Sequence, residues 1–486
     1  MIGKTKTLLK KIKMSPVARN QGRILSYYAS VSLAVTLLSW IGPFSAIPRI
    51  QTMVNSALAV IGLFLLAVNL LTKRSITRVP HYPWFLLFLL SLIVTSIVNI
   101  GYGWSENAKT FVWELLQIGL FLPISLLLTK DELRAFFKNT FWVLFLITTA
   151  SCLVALAEHI FQVGYLFMTA DGLERGHGFI NARLYGPFIN PNTGSPLAIL
   201  AIAAALSYLR IFKPGKGVRL FIWISNTICW LYTIASASRG GALCALAAFA
   251  FLTLFRYLNA RHEPQKDRGF IVMRNAVMIG LALSVSFVVI ENVSVRYAEW
   301  QHARSAAANL GALSPSFSAS RQDISAENIS NHRFQIWEDF IVFNNDSVLF
   351  GKSPRNLIPI IIDLHPDSFT AERQLEPHNS MIHVYAATGL LGVIPWAALT
   401  FLLFKELIGY LRRNKTVPEP VVLCVTLLVI LCVKATTSNS LLFTFTADNL
   451  IFFMVLGYLF NFFHQARHRK ETGQKGGATA PNQRFL

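Results

Sequence analysis

Apolar runs of roughly 16–25 residues recur along the whole chain, and a bilayer's hydrocarbon core needs a helix of about 20 such residues to span it. In hydrocarbon every backbone N–H and C=O has to be bonded internally, so runs of this length specify helices rather than open sheets. A chain of 486 residues has room for two or three soluble domains. With 53% hydrophobic residues, 14% charged residues and a mean hydropathy of +0.49, its composition excludes that reading. The expected fold class is an all-α polytopic membrane protein with about twelve transmembrane helices.

The formal net charge of +20 would suit a nucleic-acid binder if it were spread over one face. Instead it alternates with the apolar runs. Spans are expected at about 26–44, 52–72, 82–100, 110–128, 140–162, 193–211, 220–236, 241–257, 271–290, 380–404, 419–437 and 442–463. Lys4, Lys6, Lys10, Lys11, Lys13, Arg19 and Arg23 precede the first span without an acid, which puts the N-terminus in the cytoplasm. Basic clusters then follow every second span, and most of the 44 Lys and Arg share that side while most of the 24 acids do not. The charge is an orientation signal, with both termini inside and no nucleic-acid partner. The chain divides into a basic cytoplasmic N-terminus (1–25), spans one to nine (26–290), a long extracytoplasmic loop (291–379), spans ten to twelve (380–463) and a basic cytoplasmic tail (464–486). The first apolar run is long and lacks a small-residue cleavage site after it, so it reads as a retained helix. The five cysteines fall in apolar spans without metal or redox spacing and read as small buried hydrophobes.

The loop 291–379 is the longest polar segment, and a loop this long in a compact bundle is usually functional or disordered. It begins with a Ser/Ala/Asn-rich piece, 305–331, that reads as flexible. HRFQIWEDFIVFNN follows, with Phe334, Trp337 and Ile341 at helical spacing beside Phe340 and Phe343. That pattern predicts an amphipathic helix over 332–345, lying on the membrane. The loop ends in EPHNS, which opens the tenth span, with Asn379 and Ser380 as N-cap candidates and His378 at the helix mouth.

Outward-facing cations form three groups. Arg175, His177 and Arg183 precede LYGPFINPNTG, which contains Asn190 and Asn192. Arg239 sits in SASRGG at the tip of the hairpin between spans seven and eight. Arg333, Lys352, Arg355 and His378 belong to the long loop, which holds more acids than bases. Gly240 and Gly241 permit close approach of a ligand, and a guanidinium fork suits a diphosphate; Arg239 equally suits an interfacial Arg reaching for lipid headgroups. His378 can serve as a general base near neutral pH or simply cap a helix. Arg333 can hold phosphate or pair with Glu338 or Asp339 on its own helix. Lys434 and Asp448 flank the last outer turn and read as a structural pair. Glu114, Glu158 and His159 stay ambiguous, and the tail histidines His464 and His468 lack metal spacing.

Four segments in order carry a resemblance. RLYGPFINPNTGSPLAI, ASASRGGALCALAAF, the stretch from Arg333 through Trp337 to LFGKSP, and EPHNSMIHVYAATGLLGVI resemble the signatures of the bacterial O-antigen ligase/polymerase superfamily. The resemblance implies a GT-C-like bundle in the bacterial cytoplasmic (inner) membrane with its active site on the outer face. It implies a glycosyltransferase that moves a glycan from a polyprenyl-diphosphate carrier, such as undecaprenyl diphosphate, to an acceptor hydroxyl, without metal or nucleotide cofactor. On that reading Arg239 and an arginine near Arg183 bind the diphosphate, and His378 activates or orients the acceptor. Asn379 and Arg333 support that site, and Asn192 of the NPN motif joins the substrate-binding set. Gly351-Lys352-Ser353 stands where many members have Gly-x-Gly, so Lys352 is expected to add a phosphate contact.

The motifs are shared by polymerases, which join carrier-linked repeat units, and ligases, which move finished glycan to lipid A core or another acceptor. The polymerase is preferred because such enzymes serve capsule and exopolysaccharide systems with and without an outer membrane. A chain-length regulator and a flippase are the expected protein partners. A twelve-span transporter or lipid-linked-sugar flippase fits less well, because no internal repeat is visible.

Overall fold

The computed structural model describes residues 15–45, 47–73, 75–168, 174–180, 183–261, 268–307 and 332–471. The expectations for the lysines before residue 15, for the Ser/Ala/Asn-rich stretch over 308–331 and for the tail after 471 lie outside the described residues. The described residues are about 79% helical. Among the described residues the long helices overlap the expected apolar spans, with two groups of smaller elements between them. In chain order the first eight elements are α1 (Gln21–Leu38), α2 (Pro48–Thr72), α3 (Tyr82–Val98), α4 (Trp104–Leu127), α5 (Lys130–Ile160), β1 (Gly164–Met168), β2 (Glu174–Ile180) and β3 (Arg183–Gly186). Then come α6 (Pro191–Phe212), α7 (Lys216–Ala235), α8 (Arg239–Ala260), α9 (Arg268–Ala307), α10 (Arg333–Phe343), α11 (Leu357–Leu364) and α12 (Phe369–Arg373). The chain closes with α13 (Ser380–Arg413), α14 (Glu419–Ala435) and α15 (Ala447–Glu471). Among the described residues nine helices are long and apolar enough to cross a bilayer by length and composition, and α3 is a shorter apolar helix. The chain is a multi-pass membrane protein.

Burial separates the helices by position. The most apolar window of α15 is 94% buried and that of α9 only 6%, so α15 is the central post and α9 a peripheral strut. α15 packs on α14, α13, α4 and α1, while α6 sits among α5, α7, α8 and α14. Local chemistry sets the helix starts. Thr129 and Glu132 form a reciprocal capping box at α5. Asn190 caps α6 ahead of Pro191, Ser238 caps α8, and Asn379 caps α13 by accepting from the N–H groups of Met381 and Ile382.

Three departures from the sequence reading shape the site. Between the fifth and sixth spans the described residues form an antiparallel sheet in the order β1-β2-β3, and Ile41, just after α1, bridges to Phe188 beyond β3. The amphipathic helix of the long loop exists as α10, but its buried stripe is Ile336, Phe340 and Phe343, whereas Phe334 and Ile341 are 69% and 45% exposed. That stripe joins Leu357, Ile360, Ile361 and Ala386 in a small second core, so the helix packs on the head of α13.

Finally, α13 is not one continuous helix. Gly389 breaks it at φ 58° and ψ −155°, a conformation that glycine adopts without the Cβ penalty. The freed amides of Leu390 and Leu391 donate to the carbonyls of Val348 and Leu349 at 2.9 and 3.1 Å. Gly351, at φ 65°, lies so close that a Cβ would meet the Thr388 backbone nitrogen at 2.4 Å. The LFGK and TGLLG motifs are therefore two halves of one joint. Thr95 and Asn99 of α3 close it from behind through the Phe350 and Gly351 carbonyls.

Candidate functional site

Polar side chains from four separate segments converge at the end of the bundle where α6, α8 and α13 begin and α14 ends. The N-terminus of α8 is one wall. Ser238 accepts from the Gly241 amide at 3.1 Å and donates to Asn192 Oδ1 at 3.0 Å. Arg183, arriving on β3, donates to the same Asn192 oxygen at 2.8 Å and to the Ser236 carbonyl at 3.4 Å. Two motifs distant in sequence are thus joined through one amide. Arg239 is exposed at the first position of α8, and a helix N-terminus adds the positive end of its dipole to that charge. A Cβ on Gly240 would lie 3.3 Å from Thr437 Oγ1, which places this helix head against the turn between α14 and α15.

The same turn holds the opposite wall. Asn439 accepts from the Asn379 amide at 3.0 Å and donates to the Glu376 carboxylate at 2.9 Å, and Ser380 donates to the Ser438 carbonyl at 3.0 Å. Trp337 of α10 donates to the Pro377 carbonyl at 3.0 Å. His378 is gripped on both sides and adopts a left-handed φ of 49°; Ala237, just before the α8 cap, has φ 47°. Non-glycine residues in this region cost about 1–2 kcal/mol, and such strain tends to collect at functional sites.

Charge ties the two walls together. Burial, and then the neighbouring positive charge of Arg239, hold the Arg333 guanidinium below its ordinary value. Burial also lowers His378, with Arg333 adding to the effect and Glu376 opposing it. Desolvation pushes the Glu376 carboxyl up, but His383, Asn439, Arg355 and His378 together bring it below its ordinary value. Arg333 therefore lies within electrostatic reach of both Arg239 and His378. Two like-charged guanidinium groups so placed favour a bound anion, and a lowered His378 is a neutral imidazole at pH 7. Among the described residues Arg333 makes no ion pair. Asp339, one of its two candidate helical partners, accepts from the Thr370 amide and hydroxyl at 2.9 and 2.7 Å.

Lys352 stands apart. It is buried and pairs with Asp346 at 2.6 Å, its ammonium 5.5 Å from the Phe343 ring. Its amide bonds the Ala386 carbonyl, about 10 Å along α13 from Asn379 at 1.5 Å per residue. In this structure the Lys352–Asp346 ion pair secures the loop beside the Gly389 joint. His177 is likewise committed, to Glu158 at 3.0 Å beneath the sheet. Glu114 accepts from the Phe443 amide at 2.6 Å. Lys434 and Asp448 form a fully buried pair joined by Ser440, with the ammonium 4.5 Å from the Trp40 ring. That pair fastens the ends of the turn carrying Asn439.

Sequence reasoning did not single out Glu376, His383, Ser438 or Asn439 as site residues. The signal available for the last two was the run TTSNS, five polar residues between two apolar spans. Among the described residues no group of three His, Cys, Asp or Glu is placed to hold a metal ion.

Residues 224–397, somewhat more than a third of the chain, match a family model described as O-antigen ligase. The match includes the head of α8, α10, the Gly351–Gly389 joint and the His378 cap; Arg183 and Asn192 lie before it. No curated protein matches the chain. The family match supports the expected membership of the O-antigen ligase/polymerase superfamily.

Proposed function

We propose that this multi-pass membrane protein of the O-antigen ligase/polymerase superfamily is a polysaccharide polymerase. It transfers glycan from a polyprenyl-diphosphate carrier to an acceptor sugar hydroxyl at the outer face of the bacterial cytoplasmic membrane. The observation that carries the reading is the convergence of Arg239, Arg333 and His378, three residues from separate segments, at one end of the bundle.

The chemistry needs two things that these residues supply. Departure of a lipid diphosphate requires stabilisation of the charge developing on its bridging oxygen. Arg239 and Arg333, the amides at the head of α8, and Arg183 oriented by Asn192 provide fixed positive charge for it. Attack by an acceptor hydroxyl requires a base, and His378 is neutral at pH 7 for that purpose. The hydroxyl proton passes to His378 as its oxygen bonds to the anomeric carbon, while the carbon–oxygen bond to the diphosphate breaks and the configuration inverts. Asn379 fixes the His378 backbone through its cap, and α10 covers the site against water.

His378→Ala and Arg239→Ala are each expected to abolish product while the protein stays in the membrane; normal product from either well-expressed variant would refute the assignment. Purified protein supplied with carrier-linked repeat units is expected to give a ladder of carrier-linked lengths. The second reading is the ligase, for which product would form only after a core acceptor is added.

A further inference from the structure

A polar cavity lies at the other end of the same helices. It has a volume of about 430 Å³ and is bordered by Ser207 and Arg210 of α6, Arg256 and Asn259 of α8, and Glu419 at the start of α14. Arg256 lies seventeen positions along α8 from Arg239, about 26 Å at 1.5 Å per residue, which is close to the thickness of a bilayer's hydrocarbon core. The cavity is therefore remote from the candidate active site.

Its polar groups divide into those already committed and those left over. Arg210 donates to Glu419 at 2.9 Å. Asn259 is used up in a two-way bond with the Val417 backbone, at 2.9 and 2.7 Å. Arg256 is half-buried and makes no hydrogen bond or ion pair among the described residues. Ser207 is 1% exposed, and its hydroxyl has no hydrogen-bond partner among the described residues. Two guanidinium groups against one carboxylate leave a net positive charge in a cavity whose apolar wall includes Leu206, Leu252, Phe255 and Val422, with Ile271 and Val272 of α9. A half-buried guanidinium that shares one carboxylate with a second arginine and makes no direct hydrogen bond among the described residues is costly, and a planar five-donor fork beside apolar walls suits a phosphate ester carrying a hydrocarbon group.

We propose that this cavity is a binding site for a phosphate-bearing anion, with Arg256 as the principal ligand and Arg210 beside it. The apolar walls favour the phosphodiester headgroup of an anionic phospholipid in the leaflet opposite the catalytic face. A soluble phosphate is the other source of the same chemistry.

The test uses purified full-length protein in a neutral detergent, with native mass spectrometry and thermal unfolding as readouts. Phosphatidylglycerol, phosphatidylcholine and inorganic phosphate are added separately. Retention of phosphatidylglycerol over phosphatidylcholine, weakened about tenfold in Arg256→Gln (the size of one lost charged hydrogen bond), supports the lipid headgroup. A thermal shift with inorganic phosphate alone, lost in the same variant, supports the site with a soluble ligand. Wild-type protein that neither retains the lipid selectively nor shifts with phosphate overturns the proposal, as does equal anion binding in wild type and Arg256→Gln. If Arg256→Gln does not fold, displacement of phosphatidylglycerol from wild type by excess inorganic phosphate takes its place, and failure to displace it overturns the site.

Discussion

Replacing Asn439 with alanine isolates the contribution of the turn that holds the His378 cap. The side chain accepts from the Asn379 amide at 3.0 Å and donates to the Glu376 carboxylate at 2.9 Å. A neutral hydrogen bond is worth about 0.5–1.5 kcal/mol and one to a charged group about 1.5–3 kcal/mol. Glu376 is exposed, so solvent screens its bond and the lower end of that range applies. The two together come to about 2 kcal/mol. If that energy serves to hold His378 in its left-handed conformation rather than to hold the bundle together, it appears in the rate. At 1.36 kcal/mol per factor of ten, the loss is roughly thirtyfold in kcat. The assay is the transfer reaction with carrier-linked repeat units, run beside thermal unfolding in detergent. The expected result is a fall of that order in kcat with little change in donor KM and a small shift in Tm. Wild-type turnover in a folded Asn439→Ala protein would refute the positioning argument, and a large fall in Tm with unchanged turnover would show that the turn serves stability alone.

Acidity offers a paired prediction. His378 sits below its ordinary value of 6.5 through burial and the charge of Arg333, against the opposing pull of Glu376. Its base form is therefore expected to persist below that pH, and activity is lost as pH falls through the lowered value. Arg333→Gln removes a lowering influence and should move the acid limb of the kcat profile to higher pH, whereas Glu376→Gln should move it to lower pH; shifts in the same direction would contradict the arrangement. Lys352→Met should leave donor KM within about twofold, because its ammonium is committed to Asp346; a tenfold rise, or about 1.4 kcal/mol of lost binding, would return Lys352 to the phosphate site. Gly389→Ala forces a Cβ to within 2.5 Å of the Leu349 backbone at a positive φ. It is expected to cost more than the roughly 1–2 kcal/mol of the strained backbone alone, read as a fall in Tm.

Much of the helical layout was legible because each helix satisfies its own backbone bonds and needs only a local apolar run to form. The caps at Asn379 and Ser238 follow equally local chemistry. Lys434 and Asp448 were readable as a pair because they flank one short turn. The buried face of α10 was not readable, since Phe334, Ile336, Phe340 and Ile341 are all apolar and only the tertiary neighbours select among them. Nor was the commitment of Lys352, whose residue type serves an ion pair and a phosphate contact equally well.

By itself the sequence determined that this chain is a polytopic helical membrane protein and which residue types its motifs bring to a site. The tertiary structure decided which of those residues meet. Arg183 meets the cap of Arg239's helix through Asn192, His378 is steadied by Asn439 from a turn sixty residues later, and Lys352 pairs with Asp346. Helices in a bilayer form from local signals, but their relative placement depends on side-chain packing and interhelical bonds between distant segments, and a site built where several helices end inherits that dependence.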